Sequence, residues 1–369
     1  MIIGVPKEIK AHENRVAMTP GGARELASDG HRILIEKNAG AGAGFSDREY
    51  EEAGGEILDA GAIWDRAELI AKVKEPLPAE YNLLKEGQTI FTFLHLAADL
   101  NLTKTLLDKR VTGLAYETVT DEKGNLPILR PMSAIAGALS IQAGATGLEK
   151  PKGGRGVLLT GLPETKPAAV TIVGAGTSGR MAARVASGMG ADVTVLDILP
   201  EKLEHVRDLT QQKAKTLLSG RESLAREVER SDLLVLTVLV PGYLAPRLVT
   251  RELVSAMKAG ACIVDISIDQ GGAAETSRPT TLADPYFTEE GVVHYCVTNM
   301  PSAVPLTSTR ALTSMTLPYL KKLASSGVIA CVRKDQGLKN GVNTHRGQIT
   351  CKGVAEAFSL EYMPIEKIL

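Results

Sequence analysis

Residues 170–179 read VTIVGAGTSG. Val170, Thr171, Ile172 and Val173 form a short β-branched run suited to a buried strand, and the glycines after it open a helix. Each glycine of the G-x-G-x-x-G spacing has its own reason. Gly174 permits the tight turn, Gly176 lets the backbone come close to a ligand, and Gly179 lets helix and strand pack closely. A second strand, DVTVLD, ends in Asp197, 18 residues beyond Gly179. The glycines alone would also suit a structural turn. The whole strand–turn–helix–strand–acid unit points to a dinucleotide whose phosphates rest on helix N-terminal amides. The Asp197 carboxylate can accept the ribose hydroxyls and would repel a 2′-phosphate. No arginine follows it directly, so NAD is expected rather than NADP.

The flanking sequence alternates in the same way. KTLLS, DLLVLTVLV, ACIVDISID and VVHYCVTN read as further buried strands of one parallel sheet. Upstream, IIGV, RILIE, LIAKVKE, IFTFLHL and VTGLAYET are strand candidates of a second series. TPGGARELASDGH reads as a helix, with Thr19 as cap, Pro20 in its first turn and Gly30 at its stop. PMSAIAGALSIQAGATGLEK places Ala134, Ala138, Ile141, Ala145 and Leu148 on one apolar stripe, predicting a helix that crosses between domains. A loop with a hairpin-like apolar insert follows it. TSTRALTSMTLPYLKKLASSG predicts another helix, interrupted or kinked near Pro318. It lies too far past the last strand to serve the central sheet, so the chain is expected to return to the first domain. The fold class is therefore α/β, with two Rossmann-like doubly wound domains. Residues 131–306 form the nucleotide domain, inserted into a discontinuous domain of residues 1–130 plus 307–369.

Composition narrows the function. The 369 residues are 44% hydrophobic with a formal net charge of −1, which supports a sizeable core and gives no electrostatic case for nucleic acid or an anionic membrane. No stretch resembles an apolar span of about 20 residues, and the first residues do not read as a secretory signal. Cys262, Cys296, Cys331 and Cys351 show no C-x-x-C pairing and read as reduced thiols of a cytosolic protein. No His/Cys/Asp cluster has ligand spacing, so no metal is expected.

Four polar residues stand out in otherwise apolar or strand-end settings. Arg15 lies in HENRVAMTP, Lys74 ends LIAKVKE, His95 ends IFTFLHL, and Asp269 ends IVDISID. Taken singly, each has an ordinary explanation: a solvated loop cation, a snorkelling lysine, a hydrogen-bonded core histidine, a turn cap. As a set they fit one job. Two cations bind a carboxylate, a histidine moves a proton, and a carboxylate complements it.

GVPKE, ENRVAMTP, KVKEP, FTFLHLAA, PMSAIAG, VGAGTSG, VDISIDQGG and YCVTNMP, in that order, resemble the signatures of bacterial alanine dehydrogenases along essentially the whole chain. Several of these blocks are shared with the soluble NAD(H)-binding part of proton-translocating transhydrogenase. The resemblance implies reversible oxidative deamination of L-alanine by NAD to pyruvate and ammonium, in a cytoplasmic homohexamer. It implies that Arg15 and Lys74 bind substrate and that His95 and Asp269 are catalytic. Cofactor contacts carry over to Ser133, Ser178, Gly179, Asp197, Lys202, Ser219, Val238, Leu239, Ile266, Ser267, Ile268, Asp269, Arg278, Val297, Thr298, Asn299 and Met300. The first half of the chain would then be the substrate domain. A transhydrogenase-like NAD(H)-binding module and a saccharopine-forming type of dehydrogenase are the alternatives. The Arg-Gln-Asp loop typical of the former is absent from this sequence.

Overall fold

The computed structural model describes residues 1–238 and 244–369. They form two compact units, Met1–Met132 with Ser302–Leu369, and Ser133–Pro301. In chain order the strands are β1 (Ile2–Val5), β2 (Arg32–Glu36), β3 (Gly55–Leu58), β4 (Leu69–Ala71), β5 (Thr89–Thr92) and β6 (Thr112–Ala115). Next come β7 (Ala169–Val173), β8 (Asp192–Asp197), β9 (Lys215–Leu218), β10 (Leu233–Leu236), β11 (Cys262–Asp265), β12 (Tyr286–Glu289) and β13 (Val292–Tyr295). The tail adds β14 (Val342–His345) and β15 (Gln348–Ile349).

In the first unit the sheet order is β15-β14-β6-β5-β4-β1-β2-β3. The strands from β6 to β3 are parallel, and β14 and β15 join antiparallel. Ile33, Leu34 and Ile35 are all buried although successive side chains point to opposite faces, so both faces of the sheet are covered. The expected first helix runs Pro20–Ser28, with Thr19 Oγ1 accepting from the Gly22 amide at 3.2 Å. The strand order reverses between β1 and β4. In parallel sheets such a reversal opens a crevice at the carboxyl ends of the strands.

The second unit has the order β12-β13-β11-β10-β7-β8-β9, parallel except for β12. Its reversal lies between β7 and β10, so the glycine turn stands at the switch point. Ile172, Val195, Val235 and Val264 from four adjacent strands share one core cluster with Ala182, Ala183 and Ala186 of the helix Thr177–Gly188.

Two details differ from expectation. Pro318 does not interrupt its helix, which runs Pro305–Ser326 without a break. Pro318 and Ser314, four residues earlier, are both exposed, so water can satisfy the carbonyl that loses its amide partner. The hairpin-like insert before β7 is as expected, an antiparallel bridge in which Leu162 and Thr165 exchange backbone hydrogen bonds at 3.2 and 3.0 Å. Finally, β3, β12, β14 and β15 lie outside the expected strands. They are two to four residues long and stand at or next to sheet edges, where no apolar run is needed.

Candidate functional site

Three neighbouring strands of the first unit carry the expected residues beyond their carboxyl ends. Past β1 the chain carries Glu8, Lys10, Glu13 and Arg15; past β4 it carries Lys72, Lys74 and Glu75; past β5 it carries His95. Lys74 and His95 sit three residues beyond their strands rather than at the strand ends, because pairing stops at Ala71 and Thr92. Arg15 is buried, with 2% of its side chain exposed. Its Nε and Nη2 donate to the two oxygens of Glu13 at 2.7 and 2.6 Å, a fork geometry that fixes the guanidinium plane. Lys74 is nearly buried, and its ammonium lies 4.0 Å from Glu75 Oε2. His95 Nδ1 lies 3.6 Å from the same oxygen. The His95 backbone is left-handed, with φ 49°. Its amide donates to Glu117 Oε1 at 2.6 Å, and its ring stacks on Phe93.

Beneath these residues Lys72 is fully buried between Glu8 at 3.2 Å and Glu80 at 2.8 Å. Glu8 also accepts from the Val73 amide at 2.6 Å and the Lys74 amide at 3.3 Å, which holds the Lys74 loop to the loop after β1. Burial pushes the Glu8 carboxyl up, against the pull of Lys72. Burial would also lift Glu75, but His95, Lys74 and Lys10 outweigh it and hold that carboxyl well below the usual range. The site is thus a set of cations and one half-exposed imidazole, seated on buried carboxylates.

The second unit supplies the glycine turn. Gly174 has φ 104°, a conformation that favours glycine. A Cβ added at Gly179 would lie 1.8 Å from Gly174 O, whereas one added at Gly176 would meet nothing within 4 Å. Close packing is demanded at Gly179 and open approach is left at Gly176, so the turn fits the pyrophosphate of a dinucleotide. Asp197 Oδ2 accepts from the Ala175 amide at 2.6 Å and Oδ1 from the Leu199 amide at 2.9 Å. Its carboxylate therefore also shapes the turn, and each oxygen keeps a second acceptor position for a ribose hydroxyl.

Other expected residues cluster at the carboxyl ends of the same sheet. Ser178 opens the helix Thr177–Gly188, and the Ser219 amide donates to Asp197 O at 2.9 Å. Ser267 Oγ donates to Val238 O at 2.8 Å, tying the loop after β11 to that after β10. Ile266, Ser267, Ile268 and Asp269 form one 3₁₀ turn. The Asn299 amide donates to Asp269 Oδ1 at 3.3 Å and Oδ2 at 3.4 Å, which joins that turn to Val297, Thr298 and Met300. Arg278 lies over the Phe287 ring at 4.0 Å. Lys202 is half-buried in the helix Pro200–Leu209, and Ser133 is half-buried in the helix Leu129–Gly147. Leu239 lies outside the described residues.

Sequence reasoning missed Glu8, Glu13, Glu75 and Glu117, each inside or beside a motif it had noted. It also missed Asp265, which is buried and accepts from Ser267 N, Ala273 N and Ser277 Oγ at 3.0, 2.7 and 2.7 Å. Alternating acids and bases were the available signal, but it does not say which acid meets which base. Among the described residues no group of three or more His, Cys, Asp or Glu could hold a metal, and no helix is long and apolar enough to cross a membrane.

Two parallel-sheet units, one with a dinucleotide-type glycine turn, define a two-unit Rossmann-like α/β protein. The models of the alanine dehydrogenase/PNT N-terminal and C-terminal domains match residues 4–136 and 140–352. An alanine dehydrogenase of Halomonas elongata is 51% identical over the whole of both chains, and one of Bacillus subtilis is 50% identical over all of this chain and 98% of its own. A solved L-alanine dehydrogenase superposes with TM-score 0.92 at 46% identity, covering 97% of this chain and 99% of the other. A transhydrogenase from Sinorhizobium meliloti shares the fold, with TM-score 0.82 at 23% identity over 95% and 99% of the two chains. The chain belongs to the alanine dehydrogenase/PNT family.

Proposed function

We propose that the chain catalyses the reversible oxidative deamination of L-alanine to pyruvate and ammonium, with NAD as cofactor. The observation that carries this reading is the full-length match to alanine dehydrogenases, with about half of all residues identical. Arg15, Lys74 and His95, carried past three neighbouring strands, supply chemistry that suits it.

Arg15 binds the substrate carboxylate, its plane preset by Glu13, so less freedom is lost on binding. Lys74 adds positive charge and polarises the carbonyl oxygen of pyruvate. NAD, when bound, accepts the hydride from Cα; Gly174, Gly176, Gly179 and Asp197 are the residues that would hold it. His95 takes the proton that the substrate ammonium must lose, and moves protons again as water adds to the iminium carbon and ammonia leaves. Asp269 offsets the positive charge of that iminium or relays a proton. Each turnover consumes one water and releases pyruvate, ammonium and one further proton. Deamination is therefore favoured by alkaline conditions, and amination runs best nearer neutrality. On the strength of the family resemblance the reading extends to a cytoplasmic homohexamer.

The test is NADH formation with a panel of L-amino acids, D-alanine, and lysine plus 2-oxoglutarate, alongside the mass in solution. L-alanine should be preferred, and the reverse reaction should need both pyruvate and ammonium. Activity with the lysine pair alone would move the chain to the saccharopine-forming type. Tight NADH binding without turnover of any amino acid would refute the enzyme reading.

A further inference from the structure

Glu75 holds a position that the proposed roles of Arg15, Lys74 and His95 do not use. It follows Lys74 in the loop after β4 and is largely buried, with 14% of its side chain exposed. Its Oε1 accepts from Lys10 Nζ at 2.5 Å, so one oxygen is anchored to the loop after β1. Its Oε2 is buried and accepts no hydrogen bond among the described residues. That oxygen is aimed at two groups, His95 Nδ1 at 3.6 Å and Lys74 Nζ at 4.0 Å. A shift of a few tenths of an ångström brings the imidazole into hydrogen-bond range. The rest of His95 has little freedom. Its amide is held by Glu117, its backbone is left-handed, and its ring lies against Phe93.

Other charged groups on the elements around the ring include Lys10, Lys74, Glu117 and Asp99, whose Oδ1 accepts from the Leu102 amide at 2.9 Å. The two lysines can only donate, and Glu117 is engaged with the backbone amides of Leu94 and His95. Glu75 is thus the acceptor placed beside Nδ1. An ionised carboxylate can only accept, so the ring nitrogen that meets it must carry the proton. In a neutral imidazole the other nitrogen is then the proton acceptor.

Resting on the proposed catalytic role of His95, we infer that Glu75 is its positioning residue, holding the ring as the Nδ1–H tautomer with Nε2 left as the basic nitrogen. The same carboxylate oxygen also faces the Lys74 ammonium at 4.0 Å. Without Glu75 nothing beside Nδ1 accepts its proton, so the ring takes the Nε2–H form and Nε2 no longer accepts.

The experiment is solid-state ¹⁵N NMR of the full chain with labelled histidine at about pH 9, well above the ordinary imidazole value of about 6.5. His95 is assigned by difference from His95→Asn. In the wild type, Nδ1 should carry the proton. In Glu75→Met, which has similar length and no acceptor oxygen, the proton should move to Nε2. L-alanine turnover should fall by about 10²- to 10⁴-fold, the range for loss of a general acid/base, with NADH affinity unchanged. A wild-type ring protonated on Nε2 overturns the inference, whether or not the variant folds. So does a variant that loses turnover but keeps the wild-type tautomer. If neither protein turns over L-alanine the proposed function fails, while the spectra still decide what Glu75 does.

Discussion

Gly176→Ala separates the fold of the glycine turn from its ligand. Gly176 has φ −67° and ψ −168°, which alanine adopts without strain, and its added Cβ would meet nothing within 4 Å. The substitution restricts the unfolded chain, a gain of about 0.4–1 kcal/mol. It also places alanine at the N-cap of the helix Thr177–Gly188, where glycine is better by about 0.5–1 kcal/mol. These effects nearly cancel, so Tm should move by no more than about 2–4 °C. The open space that spares the fold is the space a phosphate would need. A methyl group there would break at least one amide–phosphate hydrogen bond, worth about 1.5–3 kcal/mol. The NADH Kd should therefore rise roughly 10- to 150-fold. Gly179→Ala is the contrast, since its Cβ would sit 1.8 Å from Gly174 O and the backbone must move. That variant should lose stability and binding together. Calorimetric titration with NADH and thermal melts of both variants make the test. Unchanged NADH affinity in Gly176→Ala would refute the placement of the pyrophosphate at this turn.

Two further outcomes follow from the carboxylates. Asp197→Ala should relax the preference for NAD over NADP, read as kcat/KM for each. It should also lower stability by about 1–3 kcal/mol, because the Ala175 and Leu199 amides lose their acceptor; equal use of both cofactors by the wild type would refute the role of Asp197. Glu75 is held below its ordinary value of 4.5 in the folded chain, so its stabilising effect is present above that pH and lost as the pH falls below it. The Tm difference between wild type and Glu75→Met should narrow between about pH 5 and pH 3; a gap independent of pH would show that the carboxylate charge is not what stabilises the loop.

The amino-acid sequence by itself determined what depends on local pattern. Runs rich in Val, Ile and Leu became β7, β8, β10, β11 and β13, because a strand buried on both faces must be largely apolar. The spacing of Gly174, Gly176 and Gly179 specified a turn whose steric needs appear in the structure, since backbone conformation and close approach are local properties of residues without a side chain. The motifs also singled out Arg15, Lys74, His95 and Asp269. Only the tertiary structure decided that β5, β4 and β1 are neighbours. Parallel strands require crossover connections, so sheet neighbours lie far apart in the chain, and the order β5-β4-β1-β2 has no local signature. Lys10 and Glu75, 65 residues apart, meet only because of that order. It likewise chose which acid serves which base: Glu13 for Arg15, Glu8 and Glu80 for Lys72, Glu75 for Lys10 and His95. Charge pairing is set by distance and burial, and both come from how the strands stack rather than from residue order.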